Sequence, residues 1–577
     1  MCGIVGFVDK KNRWNKKERE AIVKKMLGLL NHRGGDAEGV TSANDVTVGH
    51  TRLSIVDTSS RADQPFTDGS STLSFNGEIY NHKELRKTYL GKKKVNSLSD
   101  TATLFELLNF ASIKKVLKLI HGMYAFSFLN IKKQTLILAL DKLAIKPLYY
   151  IDSPEYFAWA SEAKAFKVLP NFKYQFEEKL LGEYLAFRYI VGEKTLFKNI
   201  YKVLPGEFIT YSLKRHHFKK DQYYQLSKSK TGSGKSLEKA IKESVISHLM
   251  GDNPIGIQLS GGIDSSLVAL FAQRFSKQRL HSFSIGLKDK NWNEFCYSDL
   301  VAKTIGSNHH KIIFSEKDFV KLFPKLIYNL DEPMVHPNTV PMFLLAKKAR
   351  KYTKVLLTGE GADELFYGYN RYFSSSIESN PEMLLSNSFS PPEEISRIIK
   401  RRDPVIFIER ENILNKTRGL SKIDKISFYD IYTYLPHVLL RQDKAGMAAN
   451  VENRVPFLYE PMVEKAFGLQ TKWGKLGGKT QLKEIALKYF PEYLVLRKKC
   501  GFGLPISEWL KDRRGLLPFL DKLSSHQLVN KYFVKKEIII LIKEHLDGIN
   551  DHSVILFSII SLVVWYDIFI RDNAIPR

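Results

Sequence analysis

Midway along its 577 residues this sequence changes its hydrophobic rhythm, and that change limits what it can fold into. Residues 1–215 carry short β-like runs between Gly, Asn and Asp turns, at 3–8, 46–51, 72–75, 124–129, 135–140 and 157–160. Two helical patterns, 17–30 and 101–110, interrupt them. Many short strands with few helices predict stacked antiparallel sheets flanked by helices. A polar stretch over 214–236, with Ser, Lys and Gly at its centre, reads as a linker. Beyond it, strand-like runs at 255–259, 281–285, 311–314 and 354–358 alternate with helical stretches around 266–275, 297–305 and 342–352. That alternation predicts a parallel sheet with helical crossovers. From about residue 425 the periodicity is helical to the end. The expected fold class is α/β, with one domain over 2–213, a linker over 214–236 and a second domain over 237–577.

Two glycine loops in the second half carry a chemical signal. The run 255–259 leads into Ser260-Gly261-Gly262-Ile263-Asp264-Ser265-Ser266 and then an apolar helix. A strand, a glycine turn and a helix N-terminus together make an anion-binding geometry. Asp264 would repel a bare phosphate, so its presence calls for a bridging Mg²⁺. Thr358-Gly359-Glu360-Gly361-Ala362-Asp363-Glu364 follows another strand-like run. At the carboxyl edge of a parallel sheet such loops converge on one crevice. Asp363 and Asp264 could then share the metal, while Glu360 orders or deprotonates a reacting group. Gly234-Lys235-Ser236 and Gly478-Lys479-Thr480 imitate a phosphate-binding P-loop but lack its first glycine, and both are set aside.

The first half offers a different chemistry. Methionine aminopeptidases remove Met before small residues, so the mature chain is expected to start at Cys2. One residue then carries a thiol and an α-amine of pKa about 7.7–8.0, able to accept the thiol proton. Arg52 can clamp a carboxylate, Asp100 can pair with an amino group, and the Asn76 amide with the Gly77 N–H can hold an oxyanion. Together these describe hydrolysis of a free amino acid's side-chain amide.

Composition removes other classes. The net charge of +27 comes from Lys and Arg scattered through every region, with short clusters only, at 92–94 and 498–499. A solvated Lys-rich surface accounts for this, and no nucleic-acid partner is expected. Cys2, Cys296 and Cys500 give no disulfide framework, so a reducing cytoplasm is the expected location. The apolar run 554–566 is too short to span a bilayer and reads as a buried helix, so no membrane partner is expected.

These motifs, in this order, resemble the glutamine-hydrolysing asparagine synthetases over nearly the whole chain. Met1-Cys2-Gly3-Ile4, His32-Arg33-Gly34, Asn76–Asn81 and Lys146–Tyr150 match a class II glutamine amidotransferase domain. Ser260–Ser266, Gly359–Glu364, Arg441–Asp443, Glu452-x-Arg454-x-Pro456-Phe457-Leu458 and Lys499-x-Gly501-Phe502 match an ATP-pyrophosphatase-type synthetase domain. The resemblance implies an N-terminal-nucleophile (Ntn) hydrolase αββα sandwich ahead of the parallel-sheet domain. It implies that Cys2 attacks glutamine, that Arg52, Leu53, Ser54, Ile55, Val56, Asn76, Gly77, Glu78 and Asp100 hold it, and that the ammonia displaces AMP from an adenylated aspartate. ATP would lie on Leu259, Ser260, Gly261, Gly262, Asp264, Ser265, Ile285, Thr358, Gly359 and Lys483, with Mg²⁺ on Asp264 and Asp363 and Glu360 assisting adenylation. A homodimer is implied as well. Gly35, His336, Asn338, Asn450 and Tyr459 depart from the family pattern. The last four leave a second acceptor open, a sugar acid or a peptidyl carboxylate.

Overall fold

The computed structural model describes residues 2–91, 95, 97–227, 234–374, 377, 379–400, 407–467, 469, 476–498 and 503–572. The lysine cluster 92–94, the centre of the expected linker, Cys500 and the motif 499–502 lie outside these residues.

Strand Gly3–Asp9 sits inside the first of two six-stranded antiparallel sheets. Across that sheet the strands run Tyr201–Lys202, Tyr149–Asp152, Tyr156–Ala160, Gly3–Asp9, Val46–Arg52 and Ala37–Ala43. The second sheet runs His217–Gln222, Glu207–Ser212, Thr135–Leu140, Gly122–Asn130, Ser71–Ile79 and Phe66–Thr67. Alternation along Gly3–Asp9 places Ile4 and Val8 between the sheets with Val48, Leu138 and Ile209. Val5 and Phe7 face the other way, onto Val23, Met26 and Leu27 of helix Lys16–Gly28. A capping box at Asn15 and Glu18 starts that helix. On the far side, Phe75, Tyr124 and Phe126 pack against Leu104, Leu107 and Leu108 of helix Asp100–Phe110, which Ser99 caps. The result is the expected αββα layering. The stretch read as a linker from residue 214 opens instead with a strand, His217–Gln222, paired along its whole length with Glu207–Ser212. It is an edge strand of sequence HFKKDQ, exposed at His217, Lys219 and Gln222, and it lacks the apolar alternation that marks a half-buried strand.

The second half contains a five-stranded parallel sheet in the order Asn308–Phe314, His281–Leu287, Ile255–Gln258, Val355–Leu357, Glu452–Arg454. From the central strand the chain winds outward on one side, then returns to continue on the other. The reversal falls between Ile255–Gln258 and Val355–Leu357, and the crevice beyond their carboxyl ends is where such sheets bind ligands. Helix Lys422–Met447 continues through Pro436 and is buried along most of its length. Helix Ser553–Tyr566 is the buried apolar helix expected. With its continuation to Arg571 it is long and apolar enough to cross a membrane, yet it lies in a core shared by both halves. Tyr184 Oη donates to the Ser558 carbonyl at 2.9 Å, and Trp565 Nε1 to that of Asp331 at 3.0 Å.

Candidate functional site

Cys2 is 8% exposed, at the head of strand Gly3–Asp9. Its backbone N donates to Asn76 Oδ1 at 2.9 Å, and its carbonyl accepts Arg33 Nε at 3.0 Å. Burial pushes the thiol up, opposed by the Leu53 backbone amide and by Arg52. With Asn76 Oδ1 taken by Cys2, Asn76 Nδ2 is left buried with no hydrogen-bond partner among the described residues. An orphaned amide donor beside a nucleophile suits an oxyanion that forms only during reaction. Gly77 is closely approached: a Cβ there would meet the Met123 carbonyl at 2.1 Å.

Of the other residues expected to hold glutamine, Arg52 and Leu53 lie beside the Cys2 thiol. The Arg52 guanidinium is already engaged, by Asp63 at 2.6 Å and by the carbonyls of Ser59, Asp57 and Val56. A carboxylate bound there must share the cation with Asp63. Ser54 N donates to Asp36 Oδ2, and the carbonyls of Ser54 and Ile55 accept Asn253 Nδ2, which ties this loop to the turn ahead of strand Ile255–Gln258. Asp100 accepts the backbone amides of Ile79 and Thr101, and burial raises its carboxyl to about 6. An arriving ammonium would restore its charge. Glu78 pairs with Arg454 of the other half at 3.3 Å, but burial, with Glu452 nearby, holds its carboxyl well above the usual range.

A second site lies at the reversal point of the parallel sheet, in a cavity of about 650 Å³. Leu259, Ser260, Gly262, Asp264 and Ser265 line it from one loop, and Thr358, Gly359, Glu360 and Asp363 from its neighbour. Ile285 and Lys483 also face it. Gly261 does not line the cavity. It makes the turn, at φ +77°, and a Cβ there would collide with the Tyr297–Ser298 backbone. The Ser260 and Ser265 hydroxyls lie 3.0 Å apart, and helix Ile263–Phe275 begins directly at the loop. Asp264 and Asp363 converge on one point, where Lys479 Nζ is 2.6 Å from the first and 2.7 Å from the second. Two carboxylates oxygen-bonded to one cation fit a hard divalent metal completed by phosphate oxygens. Among the described residues no cluster of three or more His, Cys, Asp or Glu side chains supplies a closed metal cage.

Lys479 is a cavity residue whose sequence context, Gly478-Lys479-Thr480, fails as a P-loop. It belongs to Gly477-Gly478-Lys479, at the start of helix Thr480–Ala486 with φ +59°. Its Gly-Gly-Lys turn is visible in the sequence, but its partners are two aspartates distant in the chain. Lys483, expected near the phosphates, lines the same cavity and donates to the Leu476 carbonyl. Burial, with Lys479 nearby, lowers its pKa. Arg441 supplies a further cation: Nη1 donates to Asn338 Oδ1 at 2.7 Å, and Nη2 lies 3.6 Å from Glu360.

The family departures separate into two groups. His336 and Asn338 line the cavity, and burial together with Arg441 keeps His336 neutral, with Nε2 3.2 Å from Tyr434 Oη. Asn450 and Tyr459 lie at the contact between the halves. A Cβ on Gly35 would stand 3.6 Å from Asn450 Nδ2, so the smaller residue at 35 faces the larger one at 450. Tyr459 packs on the rings of Tyr80, His121 and His248.

Two family models match the chain. A model of the glutamine amidotransferase domain family covers residues 1–224, and one of the asparagine synthase family covers 236–567. Glutamine-hydrolyzing asparagine synthetase 1 of Bacillus subtilis (strain 168) is 28% identical, over 100% of this chain and 98% of that protein. Glutamine-hydrolyzing asparagine synthetase 3 of the same strain is 26% identical over 92% of this chain and 93% of its own. Asparagine synthetase B of Escherichia coli (strain K12) is 28% identical over 86% of this chain and 80% of its own. The chain is a glutamine-dependent ligase with an amidotransferase half, and it belongs to the asparagine synthase family.

Proposed function

We propose that this enzyme hydrolyses glutamine at Cys2 and passes the ammonia to an acyl-adenylate of aspartate, yielding asparagine, glutamate, AMP and pyrophosphate. The observation that carries the reading is the cavity where loops 260–266 and 358–364 meet Lys479 and Arg441. In the first half, the free α-amine of Cys2 takes the thiol proton and sulfur attacks the glutamine amide carbon. Asn76 Nδ2 donates to the tetrahedral oxygen; the C–N bond breaks, and ammonia leaves with the returned proton. Water then cleaves the glutamyl thioester. In the second half, backbone amides of 260–266 and Lys479 hold the triphosphate of the ATP substrate. Bound between Asp264 and Asp363, Mg²⁺ would offset phosphate charge. Glu360 orients the acceptor carboxylate, and Arg441 pairs with the acceptor's second carboxylate.

One observation favours a second acceptor. His336, Asn338 and Tyr434 give the wall beside Arg441 neutral donors and rings, which suit a hydroxylated carboxylic acid such as a sugar acid. Amino-acid analysis after incubation with glutamine, ATP, Mg²⁺ and aspartate, with complementation of an asparagine auxotroph, separates the two. Asparagine and growth are expected. Active glutaminase without either result removes aspartate and leaves the sugar acid or peptidyl carboxylate as the acceptor.

A further inference from the structure

We infer that Asp443, a residue of the second half, is a positioning residue for the Cys2 nucleophile; the inference rests on the glutaminase reading above. The Cys2 carbonyl is held by Arg33 Nε at 3.0 Å. The other two arms of that guanidinium end on Glu162 Oε1 at 2.7 Å and on Asp443 Oδ2 at 2.8 Å. Arg33 and Glu162 are fully buried, and Asp443 is 3% exposed. The three bonds fix the guanidinium plane, and with it the peptide that carries the sulfur.

Glu162 cannot hold Arg33 alone. It is already shared with Lys164 and with His32 Nε2, which lies 2.9 Å away. Asp443 also receives Lys146 Nζ at 3.3 Å. Two buried cations of the first half, Arg33 and Lys146, therefore share one carboxylate of the second. Neutralising that carboxylate leaves buried positive charge undercompensated, and the inexpensive response is for Arg33 to turn towards Glu162 and away from Cys2. Asn76 would still hold the Cys2 nitrogen, so the residue would pivot about that end and carry the thiol off line. Asp443 sits in helix Lys422–Met447 only two residues beyond Arg441, which lies 3.6 Å from Glu360 in the cavity. One turn of one helix thus places a side chain at each site.

The test uses the full-length enzyme. Asp443→Asn is expected to lower glutaminase kcat by about 10- to 100-fold, the scale of a displacement of about 1 Å, with glutamine KM changed by less than about threefold. Alkylation of Cys2 by iodoacetamide should slow with kcat, while amidation from added ammonium should stay within about threefold of wild type. If Asp443→Asn fails to fold, Asp443→Glu keeps the charge but moves it by one methylene. It is expected to lower glutaminase kcat by about three- to tenfold, again sparing the ammonium reaction. Unchanged kcat and alkylation in a folded variant, or parallel loss of both activities, overturns the inference. Absence of glutamate release from the wild-type enzyme would instead overturn the functional reading beneath it.

Discussion

The nucleophile site and the cavity balance their charges in opposite ways. Around Cys2 the partners are built in: Asn76 holds its nitrogen, Arg33 its carbonyl, and Asp63 and three carbonyls hold Arg52. In the cavity, Asp264 and Asp363 share a cation, the Lys479 ammonium, at the tip of a long side chain. The first arrangement needs little rearrangement before reaction. On the proposed function the second would exchange partners on substrate binding, because a triphosphate and a metal would compete for the same carboxylates and the same lysine. On the proposed function, fixed geometry would serve a reaction on a small amide and exchangeable charge one on a polyanion.

The comparison breaks first at Cys2. Cys2→Ala is expected to remove glutamine-dependent product formation by more than about a thousandfold while leaving amidation from ammonium within about twofold. Coupled assays with each nitrogen source measure it, and equal loss of both would show that the two halves are not chemically independent. Asp264→Asn should produce the reverse pattern. Loss of one close opposite-charge contact in a partly buried site should lower pyrophosphate release by roughly a thousandfold, with basal glutamate release retained. Near-normal pyrophosphate release in that variant would mean that Asp264 carries no metal.

The smallest expected effect is on stability. Burial holds His50, in the first half, and His248, in the second, down to about 3. Both stay neutral when folded but protonate near 6.5 when unfolded, so their contribution is complete above about pH 6.5 and is lost as pH falls towards 3. Unfolding temperature should therefore decline below pH 6.5, and His50→Asn and His248→Asn should each flatten part of that decline. Slopes unchanged in both variants would show that other groups govern the acid limb.

Much of this was legible in the sequence because it is local. The strand at 3–8 and the loops after 255–259 and 354–358 each compress element, turn and chemical group into fewer than a dozen residues. What escaped is long-range or short. Lys479 acquires its meaning from Asp264, 215 residues earlier, and Asp443 from Arg33, 410 residues earlier. Glu452–Arg454 is a strand of three residues, too few to show a period. His217–Gln222 looks like linker because an edge strand can remain charged on both faces. Arg52 shows the converse: the residue type suggested a free clamp, and only the fold reveals that the loop at 56–63 holds it first.

The docking of helix Ser553–Tyr566 on Tyr184 also sets the timing of biogenesis. Tyr184 leaves the ribosome 374 residues ahead of Ser558, its partner. At 5–20 residues per second, that interval is roughly 20–75 s, during which the apolar surface around Leu185 and Phe187 has no lid from the last helix. The amidotransferase half must therefore remain soluble as an unfinished body before the chain supplies its cover. Truncation ahead of Ser553 would deprive both halves of a shared wall, although it would delete no residue of either site.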